Sequence, residues 1–329
     1  MRQKIGVVGA GAVGTYFGVR LAELGHDVRF LLKSGRAAPP VFRVESWQGD
    51  FTLERPHVAR EPRDLGGDLD WVFVCLKSTS LVDNGAILDS LVTPAMGDRT
   101  RVQLLMNGLG AEELAASRYG ANRVHGGLVY GGLTRLETGR VRHEGVGAEI
   151  RGGSFVDDDD ELHAAASLWA GSQAVNYTPQ PCLLEAQWSK LAWNIPFNGL
   201  TVAAGGVTVR DVWERPDLHA AAIGLMREIC AAANANLEAR DKAPRLDESK
   251  VVDQLSAITD KMAAADYIPS TTLDFRANQP MEIDHIFVEP LRRAASLDVH
   301  TPRLELLAGL LQVIDAKRAA AAAAAPSSS

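Results

Sequence analysis

The stretch Lys4-Ile5-Gly6-Val7-Val8-Gly9-Ala10-Gly11-Ala12-Val13-Gly14 decides the fold. Lys4–Val8 has the apolar, β-branched composition of a buried strand. The next six residues spell G-x-G-x-x-G, and Val13–Leu24 continues as a helix. Gly9 permits the tight turn, Gly11 lets backbone approach a pyrophosphate, and Gly14 lets helix and strand pack closely. Ala10, Ala12 and Val13 complete a loop whose helix N-terminus offers N–H groups and partial positive charge. A glycine motif alone is weak evidence. Here the strand, the helix and a second strand at Asp27–Leu32 fall where a dinucleotide fold requires them.

Working outward, further strands are expected at Trp71–Leu76, Val102–Met106, Arg123–Tyr130, Gly139–His143 and Ala148–Arg151. Strands alternating with helical segments make βαβ units and a parallel-rich sheet covered on both faces. The acidic run Asp157–Glu161 reads as a solvated turn before a helix over Leu162–Trp169. Thr178-Pro179-Gln180-Pro181 reads as a linker. Beyond it the pattern is helical: Leu218, Ala222, Leu225 and Ile229 share one face, and Val251, Leu255, Ile258 and Met262 another. Pro196 makes a helix through 185–201 doubtful, because it removes an N–H and crowds the Ala192 carbonyl. The expectation is an α/β Rossmann-type N-terminal domain over 1–180, an all-α domain over 181–318, and a low-complexity alanine–serine tail over 319–329.

The end of the second strand selects the cofactor. An NAD site places a carboxylate there for the ribose 2′-hydroxyl. This chain has Lys33, Ser34 and Arg36 instead, a set suited to the 2′-phosphate of NADPH/NADP+. Two solubilising loop cations are the plain alternative. The 329 residues, 46% apolar and 23% charged, have a net charge of −7, which argues against a nucleic-acid or anionic-membrane partner. Three scattered cysteines, Cys75, Cys182 and Cys230, offer neither a disulfide framework nor a metal knuckle and suit a reducing cytoplasm. No apolar run is long enough to span a membrane, and the N-terminus reads as a strand rather than a signal peptide. A homodimer is left open.

In residues 185–201, EAQWSKLAWNIPFNGLT, Lys190 and Asn194 share a helix face, and Asn198 joins them if the helix continues. An ammonium and two amides suit a carboxylate and a carbonyl oxygen, although a lone lysine is more often merely exposed. The glycine motif, VCLKS at 74–78, MNGLG at 106–110, the WSKLAWN segment, and Ser270 with Glu282-Ile283-Asp284 together resemble the ketopantoate reductase family. The resemblance runs in one order up to the alanine tail. It implies a Rossmann domain followed by a helical one, with the active site between them, and NADPH-dependent reduction of a small-molecule 2-keto acid.

Position by position, the resemblance makes Lys190 the catalytic lysine and Glu282 the active-site acid. It places Asn107 between nicotinamide and substrate, makes Asn194, Asn198 and Ser270 substrate ligands, and makes Lys77 a cofactor contact. Without it, Glu282 reads as a carboxylate favoured by a helix N-terminus. The 2-keto acid that the resemblance implies is 2-dehydropantoate, reduced to pantoate in pantothenate biosynthesis. The chain departs from the family pattern where Phe287-Val288 replaces Asn-Gly and Pro290 follows, which leaves another 2-keto acid as the alternative. His285, one turn from Glu282, is a weaker candidate acid. A non-catalytic NADPH sensor on the same scaffold is the competing class, and the retained lysine, asparagine and glutamate speak against it.

Overall fold

The computed structural model describes residues 1–32, 37–242 and 245–324, which form two compact units, Met1–Leu183 and Leu184–Ser329. The first unit begins with β1 (Lys4–Val8), α1 (Ala12–Glu23), β2 (Asp27–Leu31), β3 (Val41–Ser46), β4 (Phe51–Glu54), β5 (His57–Ala59) and β6 (Trp71–Val74). It continues through α2 (Val82–Leu91), β7 (Arg101–Leu104), α3 (Ala111–Tyr119), β8 (Val124–Glu137), β9 (Arg140–Ser154), α4 (Asp159–Ser167) and β10 (Val175–Pro179). The strands form one sheet in the order β4-β3-β9-β8-β7-β6-β1-β2-β5, with β10 also paired to β9. From β5 to β8 every pairing is parallel, and β8–β9 and β3–β4 are antiparallel. The sheet is mostly parallel and of the Rossmann type.

Side-chain alternation explains why the central strands read as continuous apolar runs. Ile5, Val7, Phe30, Trp71 and Phe73 enter one buried cluster, whereas Val8, Leu31, Val72, Val74 and Leu104 enter the other. A strand with a core on both faces has no polar face to show. Helix α1 lies close on its side of the sheet: a Cβ at Gly18 would fall 2.5 Å from the Phe30 ring.

Several expectations are corrected in this unit. The two pieces at 139–143 and 148–151 are one strand, β9, a long antiparallel partner of β8. The supposed linker is the end of β10, where Pro179 is tolerated on a strand paired only with β9 among the described residues. The Gln180 N–H still donates to the Gly152 carbonyl at 2.8 Å. The acidic run is not simply a solvated turn. The Asp158 side chain caps α4 through the Glu161 N–H. Glu161 meets Arg101 in two bonds of 2.5 and 2.8 Å and the fully buried His125 at 3.2 Å. Those hydrogen bonds, His125 first and then Arg101, hold its carboxyl down at about 2.

The second unit is helical: α5 (Leu183–Ala203, entering from the first), α6 (Val209–Trp213), α7 (Pro216–Glu238), α8 (Glu248–Ala264) and α9 (Ser270–Arg276). A π-helical turn, Asp284–Val288, leads into α10 (Glu289–Ser296), and α11 (Pro302–Ala324) follows. Its core gathers Phe197, Val209, Val212, Trp213, Ala222 and Met226. Contrary to the sequence expectation, α5 continues through Pro196. Residues 195–199 are all buried, and Phe197 packs edge-on to Trp213 and against Trp193. Burial of several apolar groups, each worth about 1.5–3 kcal/mol, outweighs the roughly 3 kcal/mol that an interior proline costs. On α8, Ile258 is exposed where an inward position was expected. Thr259 is buried instead, because the Trp193 indole N–H donates to its hydroxyl at 3.1 Å. The alanine run extends α11 to Ala324, and 325–329 lie outside the described residues. No described helix is long and apolar enough to cross a membrane.

Candidate functional site

In the first unit the glycine loop lies between β1 and α1. Gly9 has φ +98°, and a Cβ there would come within 2.7 Å of the Cys75 carbonyl oxygen. The Gly11 N–H donates to the Gly9 carbonyl at 2.8 Å and closes the turn. A Cβ at Gly14 would overlap that same Gly9 carbonyl and lie 3.1 Å from Cys75 Cβ. Both glycines are therefore required by the protein's own backbone. Gly11 differs: a Cβ there would meet nothing within 4 Å. Ala10 is buried, and Ala12 opens α1, whose first turn carries no acid and no side-chain cap. An open space above a helix N-terminus with no side-chain cap fits a dinucleotide pyrophosphate.

The sheet order brings the next candidates to the same edge. Strands β1, β6 and β7 are adjacent and parallel, so the residues after their carboxyl ends lie side by side. Those residues include the glycine loop, the exposed Lys77 and the half-buried Asn107. Between β1 and β6 the chain reverses its direction of travel across the sheet, which is where open α/β sheets bind ligands. The Lys77 carbonyl accepts the Ser80 N–H and hydroxyl, at 3.0 and 2.6 Å, which anchors its turn. Lys33, Ser34 and Arg36, expected beyond β2, lie outside the described residues.

In the second unit, the uninterrupted α5 sets Lys190, Asn194 and Asn198 four residues apart on one face. Lys190 and Asn194 are half-buried, and Asn198 is buried. The Asn198 side-chain amide oxygen, Oδ1, accepts the Thr271 N–H at 3.0 Å. The amide expected to hold substrate thus also fastens the first turn of α9, at whose start Ser270 stands exposed. Glu282 is buried immediately before the helical run that contains the π turn. Phe287, fully buried, packs where a Gly199 Cβ would fall 2.9 Å from its ring. Pro290 sits near the start of α10, directly after the π turn.

Two contributors escaped the sequence reading. Cys75 forms the wall behind the glycine loop, and burial pushes its thiol far up, so it packs as a neutral side chain. Its place directly after the WVFV strand was the available signal. Thr271 has none, since its part is played by backbone.

Known proteins match the chain along both units. The model described as "Ketopantoate reductase PanE/ApbA" matches residues 5–156, and "Ketopantoate reductase PanE/ApbA C terminal" matches 183–315. A 2-dehydropantoate 2-reductase from Nostoc sp. is 28% identical over 333 residues, spanning 96% of this chain and 96% of that protein. The crystal structure of 2-dehydropantoate 2-reductase from Geobacter metallireducens GS-15 is 34% identical with a TM-score of 0.85, covering 94% of this chain and 99% of that one. D-mandelate dehydrogenase, solved with NADH and anilino(oxo)acetate, shares the fold at 18% identity and a TM-score of 0.80, covering 95% and 99%. Matched in order along both units, the chain belongs to the ketopantoate reductase family, nicotinamide-dinucleotide-dependent oxidoreductases that act on CH–OH groups.

Proposed function

We propose that the chain reduces a 2-keto acid to the 2-hydroxy acid with NADPH, and that 2-dehydropantoate, giving pantoate, is its substrate. The observation that carries this reading is the single face of α5 bearing Lys190, Asn194 and Asn198. In this reading residues 1–180 hold the cofactor and residues 181–318 supply substrate binding and catalysis. When bound, NADPH supplies the hydride for the keto carbon. The Lys190 ammonium donates a proton to the keto oxygen and stabilises the charge that develops there. Glu282 orients that ammonium or the product hydroxyl. Asn194, Asn198 and Ser270 bind the substrate's carboxylate and polar groups, and Asn107 lies between nicotinamide and substrate.

Gly9, Ala10, Gly11, Ala12, Val13 and Gly14 cradle the pyrophosphate, with Lys77 nearby. The choice of NADPH rests on Lys33, Ser34 and Arg36, and not on the fold, because D-mandelate dehydrogenase carries NADH on the same fold.

One observation favours a second reading, a different 2-keto acid. Phe287 replaces the family's asparagine and is packed inside against Gly199, so no amide is available at that position. A panel of 2-keto acids, followed by NADPH absorbance, separates the two readings. The highest kcat/KM with 2-dehydropantoate supports the first. A bulkier or shorter keto acid well ahead of it supports the second, and no turnover of any member refutes both.

A further inference from the structure

The polar stripe of α5 does not end at Asn198. Three residues on, and so on the same side of the helix, stands Thr201, fully buried. Its hydroxyl donates to the Phe197 carbonyl one turn back. A threonine hydroxyl has a single proton, so the second contact, 2.6 Å to the hydroxyl of Thr272, is made with Thr272 donating. The bond to Phe197 fixes the Thr201 rotamer and aims a lone pair at α9. Thr272 is fully buried as well.

Packing alone does not call for this pair. Two valines would fill the same volume, and a buried hydroxyl is costly unless it is bonded. A bonded pair adds direction: apolar surfaces tolerate small slides, whereas a satisfied buried polar contact holds one alignment. What is aligned here is the start of α9. Asn198 Oδ1 holds the Thr271 N–H, Thr201 holds the Thr272 hydroxyl, and Ser270 stands exposed immediately before both. At the other end of α9, Arg276 donates to the Gly206 carbonyl at 2.7 Å, just beyond α5. The short helix is thus tied at both ends to α5 and the turn that follows it.

We propose that Thr201, through Thr272, is a positioning residue for the substrate: it sets Ser270 in place relative to Asn194 and Asn198, so that the three meet one 2-keto acid together. The inference rests on the reading of Ser270 and the two amides as substrate ligands. Both threonines are sealed from solvent, so they act through α9 and not on the substrate itself.

The test is steady-state kinetics on the full chain with the best keto acid of the panel, alongside NADPH titration and thermal melts. A misplacement of about 1 Å can cost roughly 100-fold, so Thr201→Val should raise the keto-acid KM by about tenfold or more. Its kcat should stay within about threefold of native, because binding is lost and not chemistry, and NADPH affinity should not change. Thr272→Val should act alike, and Thr201→Ser, which keeps the hydroxyl, should restore KM. Thr201→Val with Thr272→Val removes both hydroxyls, so stability should return toward native while KM stays high. A merely structural pair would recover both. In a Ser270→Ala background, Thr201→Val should add little to KM, since both changes act on one contact. A native KM in Thr201→Val, a KM that recovers with stability in the double valine variant, or additive losses with Ser270→Ala would overturn the inference. If Ser270→Ala alone raises KM, those results leave the reading of Ser270 standing. A native KM in Ser270→Ala, or no turnover of any keto acid, refutes that reading instead, and the inference falls with it.

Discussion

Gly11 and Gly14 belong to one motif yet should fail in different ways when substituted. Gly11 has φ −83° and ψ −156°, extended backbone that any residue adopts, and a Cβ there meets nothing within 4 Å. Gly11→Val should therefore change the stability of the cofactor-free protein by no more than about 0.5 kcal/mol. In the proposed reading, its side chain would fill the space through which the pyrophosphate reaches the α1 N-terminus. Losing one charge-assisted hydrogen bond, about 1.5–3 kcal/mol, raises the NADPH dissociation constant roughly 10- to 150-fold.

Gly14→Ala drives its Cβ into the Gly9 carbonyl and the Cys75 wall, both parts of the framework. Overpacking costs about 1–3 kcal/mol, and alanine's better helix propensity returns up to about 1. The net loss, about 1–2 kcal/mol, should lower Tm by several degrees. Thermal melts without cofactor and fluorescence titration with NADPH read the two effects separately. Wild-type affinity in Gly11→Val would place the phosphates elsewhere, and a wild-type melt in Gly14→Ala would refute the packing argument.

Three further outcomes are expected. NADPH should be preferred over NADH by at least about tenfold in kcat/KM, and Lys33→Ala with Arg36→Ala should abolish the preference; equal use of both cofactors by the native protein removes the argument. Lys190→Ala should lower kcat by about 10²–10⁴-fold with NADPH affinity nearly unchanged, and adding Glu282→Gln should cost less than the product of the single losses. A near-native kcat in folded Lys190→Ala would reduce the lysine to a surface residue. Glu161→Gln should destabilise the protein near pH 7 by about 1–2 kcal/mol, a figure discounted for the solvent that reaches the pair. The carboxyl is held below its ordinary 4.5, at about 2, so its contribution is complete above about 4.5 and lost as pH falls toward 2. In urea titrations the variant's stability should accordingly fall less steeply across that acid window, and parallel curves would exclude the ion pair as a source of stability.

What was legible in the sequence followed from short-range rules. β1, α1 and β2 were readable because an apolar strand, a glycine turn and a helix are each fixed within a dozen residues. Long-range partners decided the rest. β3, β4, β5 and β10 were not anticipated: β5 is three residues long, β3, β5 and β10 exist because a distant strand offers a ladder, and the half-buried β4 follows as the hairpin partner of β3. Glu161 looked like one acid among several, since neither Arg101 nor His125 is near it in the chain. Pro196 shows the same competition in the other direction. Its local penalty is real, but Phe197 against Trp213 and Asn198 against Thr271 hold the backbone helical on its far side. That outcome bears on the chemistry as well as the fold: had the local rule won, Asn198 would have left the face that carries Lys190 and Asn194. The tertiary packing that overrules a proline is therefore what keeps the three polar side chains of α5 in register.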